Sequence, residues 1–148
     1  MTQSLPSKSL VLYADDDADD RLLIQEAFTS YANSVELKVF SDGVQLLEYM
    51  MGVDFDHPLP CLIILDISMP AMDGKEVLAQ IRNHPAYSEV PVILFSTSTL
   101  PSEYEFARSF DAGFLTKPLY AEQMYQLVDR MIDHCSDEVK RNIRKWKR

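Results

Sequence analysis

The sequence predicts an α/β fold, a parallel sheet covered on both faces by helices. Five short apolar runs recur along its 148 residues, helical patterns alternate with them, and four runs end in residues suited to handling a metal or a phosphate. Strict β-α alternation requires crossover connections. Right-handed crossovers then bring the carboxyl ends of all strands to one edge of the sheet, where open α/β sheets bind ligands.

The first strand, Leu10–Ala14, leads into Asp15-Asp16-Asp17. Leu23, Ala27, Phe28 and Tyr31 repeat at helical spacing after it, with Asp17, Asp19 and Asp20 placed to cap that helix and complement its dipole. Val35–Phe40 is the second strand, and Val44, Leu47, Met50 and Met51 mark the second helix. Gly52 to Pro60 is a long connection, read as a surface insertion. The third strand, Cys61–Leu65, ends at Asp66 and the Pro/Gly-punctuated turn Ile67-Ser68-Met69-Pro70-Ala71-Met72-Asp73-Gly74. Val77, Leu78 and Ile81 mark the third helix. The fourth strand, Val92–Phe95, precedes Ser96-Thr97-Ser98 and a helix over Ser102–Phe110 introduced by Pro101. The fifth, Phe114–Thr116, precedes Lys117-Pro118 and a helix striped by Met124, Leu127, Val128, Met131 and Ile132.

This length suits one domain with a substantial core, and neither a repeat nor an interdomain linker is visible. A net charge of -9 disfavours nonspecific nucleic-acid binding. The acidity lies upstream of residues 136–148, which hold six Lys/Arg against two Asp/Glu. Cys61 and Cys135 lack metal-ligand spacing and read as buried thiols in a reducing compartment. Without a leader pattern or an apolar run of roughly 20 residues, a cytoplasmic protein is expected.

At the predicted edge, the acids after the first strand, Asp66, Ser96 and Lys117 converge. Clustered carboxylates repel by about 4 kcal/mol per pair at 4 Å and an effective dielectric of 20. A divalent cation relieves that, and hard oxygen ligands favour Mg²⁺ or Mn²⁺. A nearby ammonium and hydroxyl suit a phosphoryl group.

The ordered set resembles the receiver domain of bacterial two-component response regulators. It comprises paired acids after the first strand, Asp-x-x-Met-Pro-x-Met-Asp-Gly after the third, Ser/Thr after the fourth and Lys-Pro after the fifth. The resemblance implies the flavodoxin-like, doubly wound strand order 2-1-3-4-5, with a receiver domain over residues 9–134 and a basic extension over 135–148. It implies that Asp66 accepts a phosphoryl group from a sensor histidine kinase or a histidine phosphotransfer protein. Asp16, Asp66 and the Ser68 carbonyl would bind Mg²⁺ directly, and Asp15 through water. Lys117 and Ser96 would contact the phosphoryl oxygens, Phe114 would be the switch aromatic, and the Lys117–Pro118 bond would be cis. Asp19 to Leu23 and Ser96-Thr97-Ser98 are further similar to receivers paired with phytochrome-type histidine kinases.

The chain departs from the family at Phe110 and Asp111, where members often carry Gly-Ala, which puts the exit of the fourth helix in question. With no output domain recognised, a regulator acting through protein contacts is expected, not an enzyme. Homodimerisation through the fourth-helix, fifth-strand and fifth-helix face is a family option. In the tail, Val139, Ile143 and Trp146 line one helical strip. It is read as docking its own domain or a second copy, with membrane-surface or anionic-partner binding as the alternative and no direct DNA recognition. Competing functions are an Mg²⁺-dependent aspartyl-phosphate phosphohydrolase and a phosphorylation-independent scaffold. The phosphohydrolase usually needs a second acid where Ser68 stands. A flavodoxin-like cofactor binder lacks its phosphate-cradling first loop here.

Overall fold

The computed structural model describes residues 7–52 and 58–148. Strands β1 (Ser9–Ala14), β2 (Val35–Phe40), β3 (Leu62–Asp66), β4 (Val92–Ser96) and β5 (Gly113–Thr116) form one parallel sheet. Its order is β2-β1-β3-β4-β5, the doubly wound arrangement expected. Helices α1 (Ala18–Ala27), α2 (Gly43–Gly52), α3 (Gly74–Asn83), α4 (Pro101–Ser109) and α5 (Met124–Ile132) connect or follow the strands, and α6 (Asp137–Lys145) ends the fold. The long connection expected after Gly52 includes residues 53–57, which lie outside the described residues.

Side-chain alternation divides the core into two layers. Val11, Tyr13, Ile64, Phe95 and Leu115 pack with α1 and α5 on one face. Leu12, Ala14, Ile63, Leu65 and Leu94 pack with α2 and α3 on the other. Burial on both faces explains why β1, β3 and β4 read as unbroken apolar runs.

Element boundaries differ locally from expectation: β1 starts at Ser9, β4 runs to Ser96 and β5 starts at Gly113, each one residue beyond the expected run. The Cys61 N–H donates to the Leu10 carbonyl at 2.8 Å, yet β3 begins at Leu62 and runs through Asp66. Phe28–Tyr31 is a 3-10 turn and not a continuation of α1, with the Thr29 hydroxyl donating to the Glu26 carbonyl at 2.6 Å. Helix α4 starts at Pro101, whose missing N–H costs nothing in a first turn, and Phe110 caps it. Its exit depends on Asp111 at φ 53, a left-handed conformation that Asp tolerates, with the Ala112 N–H donating to the Ala107 carbonyl at 2.9 Å.

The tail docks on its own domain. Ser136 caps α6 through the Val139 N–H, and Ile143 is fully buried in the α1/α5 layer. The Ser34 hydroxyl donates to the Ile143 carbonyl at 2.9 Å, and Arg144 Nη2 lies 3.2 and 2.7 Å from Asp129 and Asp133 oxygens. Cys135 is buried, Cys61 is half-buried, and both are free thiols. Among the described residues, no helix is long and apolar enough to cross a membrane.

Ile143→Ala should cost about 2–4 kcal/mol of stability through the cavity it leaves. A urea titration would show this as a lower midpoint with an unchanged slope. An unchanged midpoint would mean that α6 adds nothing to the fold.

Candidate functional site

The alternation that sorts the core also assembles the site. Tyr13 and Asp15, Ile64 and Asp66, Phe95, and Leu115 and Lys117 share one parity, so these residues turn toward the α1/α5 side of the carboxyl edge. Ser96 shares the opposite parity with Val92 and Leu94, and Phe114 packs against that second layer. Because all strands are parallel, Asp15, Asp66, Ser96 and Lys117 lie at the same end of the sheet.

One oxygen each from Asp15, Asp16 and Asp66 lies within 4.8 Å of the others. Asp15 is fully buried with both oxygens engaged. Its Oδ2 accepts from the Tyr13 hydroxyl at 2.6 Å and lies 2.9 Å from Lys117 Nζ, while Oδ1 accepts from the Asp17 N–H at 2.9 Å. Arg21 Nη1 donates to the Asp15 carbonyl at 2.8 Å and fixes the backbone there. Asp16 is the exposed member of the cluster. Asp66, 5% exposed, accepts from the Ser68 N–H through Oδ1 at 3.3 Å, and its Oδ2 is 3.5 Å from Lys117 Nζ.

Gly74 explains how the turn after β3 closes on Asp66. A Cβ there would stand 2.4 Å from the Asp66 carbonyl oxygen, so the backbone approach requires glycine. Asp73 then caps α3 by accepting from the Glu76 N–H. Ser96 is buried, its Oγ accepting from the Ser98 N–H at 3.0 Å, and its carbonyl accepts from the Lys117 N–H at 2.7 Å. Phe114 is half-buried and meets Tyr104 edge-on, with ring centroids 6.3 Å apart. The Lys117–Pro118 peptide is trans, correcting the cis bond that the resemblance implied, and trans is the ordinary preference of an X–Pro bond.

Burial pushes Asp66 up to about 8, with the Asp15 charge adding to the rise and Lys117 opposing it. Burial disfavours the Lys117 ammonium, but hydrogen bonds to Asp20 and Asp15 outweigh it and leave its pKa raised. Asp15, Asp20 and Asp66 share that one ammonium, and Asp16 adds a fourth carboxylate beside Asp15 and Asp66. This excess of hard anionic oxygens fits a small divalent cation of the Mg²⁺ or Mn²⁺ type.

Two participants escape a reading of the sequence by motif. Tyr13 sits in an apolar run and reads as core, yet its hydroxyl reaches Asp15. Asp20 reads as a dipole complement of α1, yet it makes the shortest contact of Lys117 Nζ, 2.8 Å. A signal for Asp20 exists in its spacing: it precedes the buried Ile24 and Ala27 by four and seven residues, which turns it inward.

Comparisons with known proteins agree with this geometry. The family model for the response regulator receiver domain matches residues 11–129. Response regulator Rcp1 of Synechocystis sp. is 31% identical over 131 residues, covering 85% of this chain and 87% of its own length. The crystal structure of the phosphorylated cyanobacterial phytochrome response regulator RcpA superposes with a TM-score of 0.76 at 28% identity, covering 82% of this chain and 89% of that one. The Mn²⁺-bound form of response regulator Rcp1 superposes with a TM-score of 0.73 at 27% identity, covering 81% and 88%.

In metal-free protein, Asp66 ionises near 3.8 when unfolded and near 8 when folded. Between those values the folded state holds the extra proton, so stability should fall as pH rises from about 4 to 8. Asp66→Asn should flatten that slope and raise the melting temperature at pH 8 in chelator; equal melting temperatures would contradict the burial cost. Gly74→Ala should destabilise the fold by about 1–3 kcal/mol by driving the turn off the Asp66 backbone. Chemical denaturation measures this, and a neutral result would show that the close approach is dispensable.

Proposed function

This chain belongs to the response regulator receiver domain family, and on that premise we propose that it is a phosphoacceptor switch of a two-component phosphorelay, charged at Asp66 and acting through protein contacts. The observation that carries the reading is the buried Asp66 carboxylate, grouped with Asp15 and Asp16 and facing the Lys117 ammonium. In the reaction, an Asp66 oxygen attacks the phosphorus of a phosphohistidine in line. The P–N bond breaks as the P–O bond forms, its electron pair leaves with the imidazole, and an acyl phosphate results.

In this reading Asp16, Asp66 and the Ser68 carbonyl would hold Mg²⁺ or Mn²⁺ directly, and Asp15 would act through water. The engagement of both Asp15 oxygens by Tyr13, Lys117 and the Asp17 N–H supports that indirect role. When bound, the cation offsets phosphoryl charge and orients the displacement. Lys117 neutralises a phosphoryl oxygen. The Ser96 hydroxyl, whose oxygen already accepts from Ser98, has its proton free for another. Its inward movement opens space for Phe114, which changes the surface shared by α4 and β5. The likeness to Rcp1 and RcpA supports a phytochrome-type histidine kinase as donor and a cytoplasmic setting. Homodimerisation through α4, β5 and α5 is one form that the changed contacts can take.

Incubation with Mg²⁺ and a small phosphodonor should add one hydroxylamine-sensitive phosphoryl group by intact mass. Asp66→Asn should abolish it, metal omission should suppress it, and Lys117→Ala should slow it by roughly 10²-fold. Modification of Asp66→Asn at the wild-type rate would sink the proposal.

A further inference from the structure

Lys117 Nζ is held unequally by its three acceptors. It lies 2.8 Å from Asp20, 2.9 Å from Asp15 and 3.5 Å from Asp66. The tightest partner is thus a carboxylate outside the three that converge as cation ligands. Asp20 is well placed to hold a fixed position. Its N–H donates to the Asp17 cap at 3.1 Å, and the inward face of α1 is anchored below it by the buried Ile24 and Ala27. The Lys117 side chain is 8% exposed, so its ammonium has little water to turn to if one carboxylate is lost.

We propose that Asp20 is a positioning residue that holds the Lys117 ammonium off the phosphoacceptor, leaving the Asp66 carboxylate open to the cation and the phosphodonor. The inference rests on the phosphoacceptor reading above. An ammonium has three N–H donors. With two of them directed to Asp20 and Asp15, the third faces Asp66, where a phosphoryl oxygen arrives. Without Asp20, the ammonium closes on Asp66 itself. Moving from 3.5 Å to an ordinary 2.8 Å contact strengthens that attraction by roughly a quarter, since it scales inversely with distance. The nucleophile is then tied to a cation that Mg²⁺ must displace.

A plain loss of negative charge near the site would also weaken Mg²⁺ binding, so the test must separate field from position. Isothermal titration with MgCl₂ on wild type, Asp20→Ala, Lys117→Met and the double variant does so. Positioning predicts that Asp20→Ala weakens Mg²⁺ binding by about tenfold when Lys117 is present, and by no more than about twofold when it is absent. The same fold-loss in both backgrounds is a field effect and overturns the proposal. Asp20→Glu, which returns a carboxylate, should recover most of the affinity, and a Glu variant as weak as Asp20→Ala also overturns it. Thermal unfolding of each variant confirms that folded protein is compared.

Phosphodonor kinetics on the same proteins keep the two readings apart. If wild type with Mg²⁺ acquires no phosphoryl group at Asp66, the phosphoacceptor reading fails. If wild type is phosphorylated and Asp20→Ala matches it in both rate and Mg²⁺ affinity, the positioning role alone fails.

Discussion

The single ammonium of Lys117 is the contact on which the carboxyl edge of the sheet depends. It lies within 3.5 Å of oxygens from Asp15, Asp20 and Asp66, which come from two strand ends and the first turn of α1. Without it, buried carboxylates would face one another at close range, an arrangement that costs several kcal/mol or forces protonation. Even with it the balance stays negative, and Asp66 is held well above its ordinary ionisation range. The site is thus built under electrostatic tension, which the proposed divalent cation and a phosphoryl group neutralised by Lys117 would relieve.

The scaffold supplies the rigidity for this arrangement. β1 and β3 are buried on both faces, so neither Asp15 nor Asp66 can retreat by tilting its strand. Gly74 lets the turn after β3 press against the Asp66 carbonyl, and Arg21 fixes the Asp15 carbonyl from α1. By contrast, the proposed switch aromatic is less deeply packed. Phe114 is half-buried against Tyr104 at the α4 side, across the sheet from the acids.

Much of this was legible in the sequence because parallel strands buried on both faces read as unbroken apolar runs. Apolar runs ending in Asp15, Asp66, Ser96 and Lys117 placed those residues at one edge, and the two core layers then show Asp15, Asp66 and Lys117 on one face. What escaped has physical reasons. Tyr13 looks like any core aromatic until its hydroxyl is traced, and Asp20 satisfies a helix-dipole rule so well that its inward spacing is easily overlooked. The apolar strip of Val139 and Ile143 does signal that α6 docks on its own domain, but the Ser34 bond to the Ile143 carbonyl leaves no residue-type signal. The 3-10 turn at Phe28–Tyr31 reflects a local tightening that apolar spacing cannot distinguish from a longer α1.

The central claim is that the carboxylate of Asp66 becomes an acyl phosphate. Borohydride reduction after treatment with a phosphodonor and Mg²⁺ tests it directly, because an acyl phosphate is reduced to an alcohol while a free carboxylate and a phosphate ester survive. Peptide sequencing should then find homoserine at position 66 and unmodified aspartate at positions 15, 16 and 20. Homoserine at one of those other positions, or phosphate retained on Ser96 with position 66 unchanged, would contradict it.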